Sequence, residues 1–546
     1  MTNAVLDPEL LVQRRMSDHD ITVFSLEKRI FPEETIIVIK VAPEQRVAAT
    51  TLANSIDHEL AEQGFAGFLT VREVDPSVVR GTGALRKGVF DPRANELANL
   101  LTARSRTSEV QPSLLYIRDA SDNLSSVMAA RHHLIFGRRG SGKTALMVEA
   151  KRAVIEAGSV AVWLNLQSLR SLSAHQCFSW FVEQLGDAIQ VYYASRSRAP
   201  RSLAAAAELK NEVSASNAAG MGLWIPRAQQ LVRRFLEAEG IQLFVFVDEL
   251  HYLPRAQQPV FLDYLHGSVR DCDAWLKVAG IRNLSRWFVA EGSVGLQTGQ
   301  DADHIDLDIT LEDPPKAKTF LEEMLRSYAR YVGIGYLAGV FSNEALDRLI
   351  LASGAVPRDY LVLGAAGIRE AQKRPKAKTV GVQDINKVAG DAAKVKIAEL
   401  EDDAAATAGS AQRIAEALNI VREFCIAKRN STYFRIDFRD REEHQPEHSL
   451  LQGLVDLRLL HLVDSSLSDE REAGRRSEVY MLDLSQYSGQ RLRKRLKVLD
   501  FDRGHIILKE TGSGEPPRVA KTTNQRLAIL RRGPALELTS LTPVLI

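Results

Sequence analysis

Cysteine is scarce: Cys177, Cys272 and Cys425 are the three in the chain, far apart and with no CxxC pair. That spacing excludes a disulfide framework and a zinc cluster, and predicts buried free thiols in a reducing compartment. No run of about 18 or more apolar residues occurs, so no membrane-spanning helix is expected. The first residues, MTNAVLDPELLVQRRMSD, contain no apolar signal stretch, and a cytoplasmic chain that avoids membranes is the expectation. Net charge is also small, at +1, so the molecule as a whole is no polycation. Any nucleic-acid surface has to be a local patch. What is present is ordinary for a globular protein: 45% hydrophobic and 25% charged residues. At roughly 100–200 residues per domain, 546 residues predict three or four units.

The pattern of apolar residues divides the chain. Residues 1–112 read as a small α/β domain of unknown role, with strands at 36–40 and 68–71 around a helix at 44–63. The Gly81-Thr82-Gly83 stretch reads as a loop rather than a binding loop. Residues 113–312 alternate strand and helix signals, with strands at 133–136, 160–164, 243–247, 275–280 and 305–311. That alternation predicts a parallel sheet. The Ala-rich segment 196–219 reads as an exposed helix or a linker insertion. Residues 313–405 read as a helical lid, with helix starts at Asp313-Pro314-Pro315, Ser342-Asn343-Glu344 and Pro357-Arg358-Asp359. Residues 406–546 follow the helix, strand, helix, strand, strand order of a winged helix, and end in a basic tail. Between Gln486 and Arg532 there are 12 Lys/Arg against 4 Asp/Glu.

One segment carries explicit chemistry. An apolar strand runs into Gly137-Arg138-Arg139-Gly140-Ser141-Gly142-Lys143-Thr144, and a strong helix former comes next. The glycines let backbone N–H groups turn inward around phosphate oxygens, and the helix N-terminus faces the anion. Lys143 is expected on the β- and γ-phosphates, and the Thr144 hydroxyl on magnesium. The ligand implied is a nucleoside triphosphate. ATP is preferred because the chain holds no Asn-Lys-x-Asp guanine-reading sequence.

A second apolar strand, Leu243-Phe244-Val245-Phe246-Val247, ends in Asp248-Glu249. A buried parallel strand delivers such acids to the carboxyl edge of the sheet, where nucleotides bind. Asp248 is expected to hold Mg2+ beside Thr144, and Glu249 to act as general base on the attacking water. His251, two residues further on, reads as packing beside the sheet. His132-His133 reads as the start of a strand.

These residues resemble the AAA+ and STAND branch of P-loop ATPases, and in particular the origin-recognition-complex-like ATPases of bacteria and archaea. The likeness runs from about Tyr116 to Asp483 and rests on GRRGSGKT and VFVDELHYL, with weaker support from LKVAGIRN, DITLEDPPKAKTFLEEML and SGAVPRDYL. The expected fold is therefore α/β: an AAA+-like parallel-sheet P-loop core with a helical lid, a C-terminal winged helix and a small N-terminal α/β domain. The resemblance implies a polar sensor after the strand at 276–280, at Arg282 or Asn283. It implies a lid arginine on the γ-phosphate, at Arg358, and an arginine finger from a neighbouring copy, at Arg270 or Arg286. The separate N-terminal domain departs from the replication initiators of that group.

The activity expected is ATP hydrolysis coupled to a conformational switch. The target implied is double-stranded DNA, through the winged helix and the basic stretch Arg491–Lys497 with Arg531-Arg532, or a protein partner of a multi-component system. The other reading of 491–499 is an amphipathic helix with Leu492, Leu496 and Leu499 inward. A role in defence against phage is an expectation from the resemblance alone. The alternative is a DNA-binding or scaffold protein that holds ATP without hydrolysing it.

Overall fold

The computed structural model describes residues 8–545 except 20, 31–34, 43–44, 63–64, 66, 74–84, 86, 109–115, 118–121, 195–200, 216–220, 405–409, 471, 473 and 489–493. The N-terminal unit comprises α1 (Pro8–Asp18), β1 (Val23–Ile30), β2 (Thr35–Val41), α2 (Arg46–Glu62) and β3 (Gly67–Glu73). Strand β2 is central, antiparallel to β1 and parallel to β3. Ile37, Ile39 and Val41 alternate onto the helix-covered face and meet Ala49, Ala53, Ile56 and Leu60. The sequence pattern does not announce β1. A register shift between Val23 and Ser25 breaks the period-two alternation that would reveal it. Gly81-Thr82-Gly83 lies outside the described residues.

The expected boundary at 112 is too late. Helix α3 (Pro92–Ala103) starts on an Asp91 cap, whose side chain accepts from the Arg93 N–H at 3.2 Å. Its Leu97, Ala98 and Leu101 are buried in the same core as the lid helices. Arg93 also donates to the Gly333 carbonyl at 2.9 Å. The N-terminal unit thus ends before residue 88, and α3 belongs to the body of the protein.

The central domain holds α4 (Asn123–Met128), β4 (His132–Phe136), α5 (Lys143–Glu156), β5 (Val160–Asn165), α6 (Ala174–Ala194), α7 (Arg201–Ala215), α8 (Met221–Glu239), β6 (Leu243–Asp248), α9 (Gln258–Val269) and β7 (Ala274–Gly280). A short hairpin of β8 (Phe288–Val289) and β9 (Val294–Gly295) leads to β10 (Ala302–Asp306). The sheet order is β10-β4-β7-β6-β5, and every pairing is parallel. All six residues of β6 are buried, as expected of a strand covered on both faces. Helices α6 to α9 pack on one face of the sheet, and α4 and α5 on the other. The Ala-rich segment forms α7, which is packed rather than free: Ala206, Leu209 and Val213 are buried in this core. The last strand stops at Asp306, five residues short of the expected end, because the chain turns there towards the lid.

The lid is α10 (Pro314–Tyr331), α11 (Asn343–Ser353), α12 (Pro357–Gln372) and α13 (Val382–Ala404). Asp313 caps α10 by accepting from Lys316 N–H at 3.1 Å, and Ser342 caps α11 by accepting from Ala345 N–H at 3.1 Å. Gly354 ends α11 at φ +57°. The C-terminal unit comes next: α14 (Ser410–Arg422) running into a π-turn, β11 (Tyr433–Asp437), α15 (Phe438–Glu443), α16 (Gln445–Asp456), β12 (Leu460–Ser468) and β13 (Arg476–Leu482). Its sheet order is β11-β13-β12, antiparallel throughout.

The expected basic tail is folded structure. Strands β14 (Lys497–Asp502), β15 (His505–Glu510) and β16 (Arg518–Val519) make a further antiparallel sheet, succeeded by α17 (Thr523–Leu530). Leu496 and Leu499 are buried, but at the start of a strand and not on a helix. Arg491–Arg493 lie outside the described residues. Asp500, 2% exposed, is gripped by Arg348 of the lid at 2.8 Å and by Lys509 at 2.7 Å. A single hydrophobic core runs through α3, the lid, the C-terminal unit and this sheet. Lid and C-terminus are therefore built as one body. Among the described residues no helix is long and apolar enough to cross a membrane.

Candidate functional site

Strand β4 ends at Phe136, and the next residues turn back over its carboxyl end before α5 begins. The turn needs Gly140 at φ +81° and Gly142 at φ +102°, values that L side chains rarely adopt. Lys143 sits at the first turn of α5, 5% exposed, with its ammonium donating to the carbonyls of Gly137 at 2.7 Å and Arg138 at 3.0 Å. Burial lowers its pKa, opposed by Glu249, Asp308 and Asp248. Two of its three donors are used, which leaves one for an anion.

Parallel pairing places Asp248 at the end of β6, next to Asn165 at the end of β5. The Thr144 hydroxyl donates to Asp248 Oδ2 at 2.8 Å. Burial, and then the neighbouring Glu249, push the Asp248 carboxyl up to about 7, against the Thr144 hydrogen bond and Lys143. A buried carboxylate under that strain gains from a cation. The Thr144 and Asp248 oxygens are hard donors of the kind magnesium takes, so these two residues fit the ion. Among the described residues no separate cluster of three His, Cys, Asp or Glu could hold a metal.

Glu249 comes next at φ +62° and ψ +42°, an unusual backbone for a non-glycine residue. Together these groups line a cavity of about 1220 Å³, which also takes in Arg139, Trp163, Lys316 and Arg358. Tyr116, Ile117, Met324, Tyr328 and Leu361 supply an apolar part of the wall. Arg358 reaches the cavity from the start of α12, and its backbone N–H donates to the Gly140 carbonyl at 3.2 Å. Its pKa is lowered by burial first and by Arg458 second, the condition of a cation in want of an anion.

Not every expected site residue converges. Arg138 is 4% exposed, and its side chain turns from the cradle towards the lid. It donates to Asp308 Oδ1 at 3.3 Å, Ile309 O at 2.8 Å and Gly354 O at 3.3 Å, while its backbone N–H is taken by Asp308 at 2.8 Å. Arg138 is thus a brace between loop and lid. Neither Arg282 nor Asn283, the two expected sensor positions, lines the cavity. The helical turn after β7 swings them aside. Arg282 stacks over Phe136 at 4.6 Å and pairs with Asp306 at 3.1 Å. Asn283 donates to Asp456 of α16 at 3.2 Å. Burial lifts the Asp456 carboxyl to about 7. Arg270 and Arg286 are exposed and do not line this chain's own cavity.

Sequence reasoning misses Lys316, Thr319, Phe320 and Glu323, which line the cavity from α10. Their spacing of three, four and seven marks one helix face and is the signal that could point to them. Arg106, Tyr116 and Ile117 carry no such signal, because the long-range path of the chain from α3 to α4 brings them there.

The fold and the site define the class. An inserted strand, β7, separates the loop strand β4 from the acidic strand β6, and a helical lid comes after β10. This is the strand order of a P-loop nucleotide-binding core with an additional strand. No family profile and no curated protein matches the sequence. Solved structures do show similarity. The Walker-type ATPase PABY2304 of Pyrococcus abyssi is 12% identical, with a TM-score of 0.40 over 68% of this chain and 98% of that one. The Orc1 protein of Aeropyrum pernix, solved in complex with DNA, is 13% identical, with a TM-score of 0.34 over 67% of this chain and 90% of that one. RuvB of Thermotoga maritima is 15% identical, with a TM-score of 0.27 over 53% and 72%.

Proposed function

We propose that this protein binds ATP with magnesium and hydrolyses it, and that the state of the γ-phosphate moves the lid and the C-terminal unit as one body. The observation that carries this reading is the convergence of Lys143, Thr144, Asp248, Glu249 and Arg358 on one cavity. The loop N–H groups and Lys143 hold the phosphates. Thr144 and Asp248 would hold magnesium, which when bound supplies electrostatic stabilisation of the phosphoryl oxygens. A water oxygen attacks the γ-phosphorus, its proton passes to Glu249, and the bond to the β-phosphate oxygen breaks to give ADP and phosphate. Arg358 bears part of the charge on the γ-phosphate from the lid side. The apolar wall of Tyr116, Ile117 and Met324 offers a surface for the base.

Replacing Glu249 by Gln tests the hydrolytic step. Turnover falls by about 100-fold or more, the scale of a lost general base, while Mg–ATP binding survives. Unchanged turnover removes Glu249 from its role. A wild-type protein that binds ATP without turnover establishes the non-hydrolysing alternative.

For the target, a protein partner is the better-supported reading. Helix α16, which a winged helix would lay in the DNA groove, reads QPEHSLLQGLVD and contains no Lys or Arg. Its Asp456 end is tied to Asn283. DNA binding needs cations against phosphates. Affinity for duplex DNA measured against salt separates the two, since a steep salt response favours DNA.

A further inference from the structure

We propose that Arg138 is the positioning residue for Arg358: its guanidinium ties the lid turn that carries Arg358 to the phosphate loop, and so sets that arginine against the γ-phosphate. This inference rests on the reading of Arg358 above as the lid's contact with the γ-phosphate. The sequence pattern alone counts Arg138 with the phosphate cradle.

One side chain joins three segments. Arg138 Nε donates to Asp308 Oδ1 at 3.3 Å, and Nη2 donates to the carbonyls of Ile309 at 2.8 Å and Gly354 at 3.3 Å. The first two acceptors lie where the chain leaves β10, and the third is the residue that ends α11. Four residues on, the Arg358 N–H donates to the Gly140 carbonyl at 3.2 Å. That N–H belongs to the first turn of α12, where the helix itself offers no acceptor. The turn 354–358 is therefore tied to the phosphate loop at both ends, once by the Arg138 side chain and once by the Gly140 main chain. On its far side Gly354 lies against the C-terminal unit, where an added Cβ would overlap the His461 ring. The turn is confined from both directions.

The turn needs holding. Ala355, buried, sits at φ +62° directly after Gly354 at φ +57°. A non-glycine residue in that region carries strain that persists only where its surroundings hold it. Arg358 does not anchor itself: its Nε is buried and has no hydrogen-bond partner among the described residues. Its place is set by the main chain of the turn, and hence by the two ties. A guanidinium suits the task, because its planar fork serves several acceptors at fixed angles, where an ammonium is a single point of attachment. A brace that served stability alone would, when lost, weaken every nucleotide equally. A residue that positions Arg358 would, when lost, weaken only what reaches the γ-phosphate.

The test measures Mg–ATP and Mg–ADP dissociation constants in the full chain carrying Glu249→Gln, so that ATP persists. Added to that background are Arg358→Ala, Arg138→Met, Arg138→Lys and the pair R138M/R358A. R358A is expected to cut the preference for ATP over ADP by about tenfold, the scale of one charge-assisted hydrogen bond. R138M cuts it by a similar factor while ADP affinity stays within about twofold, and R138M/R358A cuts it no further than R358A alone. R138K keeps a cation opposite Asp308, which guards against a variant that fails to fold, and loses most of the preference as well. A preference left intact in both Arg138 variants overturns the inference. So does a loss that ADP shares equally, or a double variant whose loss is the product of the two single losses, since a structural brace would act in those ways. An R358A protein that keeps the preference sinks the γ-phosphate reading of Arg358 and this inference with it.

Discussion

The main-chain N–H of Arg358, at the start of the lid helix α12, donates to the carbonyl of Gly140 in the phosphate loop at 3.2 Å. Loop and lid are therefore joined at the backbone, and Arg358's side chain lines the cavity beside them. A Cβ on Gly140 would stand 2.7 Å from Arg358 Cβ and 3.1 Å from Val356 Cγ1, at φ +81°. Gly142, at φ +102°, has nothing within 4 Å of such an atom. Both substitutions by Ala strain the loop by about 1–3 kcal/mol and weaken ATP binding. G140A alone also pushes the lid away. Hydrogen exchange across α12 rises in G140A and stays at the wild-type level in G142A.

A buried charge network ties the lid to the C-terminal unit. Arg458, 3% exposed, donates to Asp359 Oδ1 at 2.6 Å, next to Arg358. Lys396 lies 3.6 Å from Asp359 and 3.0 Å from Asp483, and His461 stands 2.7 Å from Asp483. Removing one partner leaves a buried charge with too little compensation. Arg458→Ala is predicted to cost about 3–5 kcal/mol of stability in denaturant unfolding. The double change R458L/D359L costs less than R458A alone, because it removes both charges.

Lys277 predicts a pH dependence. It is fully buried in β7, donates to the carbonyls of Ala129 at 2.7 Å and Arg131 at 2.6 Å, and lies 3.0 Å from His133 Nδ1. Burial lowers its pKa to about 7 from 10.5. The folded state then binds this proton less tightly than the unfolded state. The cost is in full force below about 7, shrinks as pH rises, and is gone above the unfolded value of 10.5. Burial holds both His132 and His133 near 4, so neither changes charge in that window. Relative to Lys277→Met, the wild type gains about 4 kcal/mol between pH 7 and 10.5, at about 1.4 kcal/mol per pKa unit. Urea unfolding at both pH values measures it, and parallel stability curves would remove the claim.

The residues that are legible in the sequence are contiguous in it. Gly137 to Thr144 and Asp248-Glu249 announce themselves because a strand end, a turn and a helix start fix their geometry locally. The caps Asp313 and Ser342 are legible for the same reason. Where Arg282 and Asn283 lie is not legible locally, because the turn after β7 is a tertiary choice that sets them against Phe136 and Asp456. The boundary at 112 fails because α3 pairs with a helix more than 250 positions later, and no local signal reports that. The basic stretch after Gln486 looks like a tail since its charges dominate composition. Leu499 and Phe501 pack instead into the core on a strand, with Leu496 buried just ahead of it.

The central claim is that nucleotide at Lys143 is felt in the C-terminal unit through Arg358. Hydrogen exchange with and without Mg–ATP, in Glu249→Gln and in E249Q/R358A, tests it most directly. ATP is predicted to protect the loop, α12 and β12 in the first protein, and the loop alone in the second. Equal protection of β12 in both, with ATP bound to each, would contradict the account.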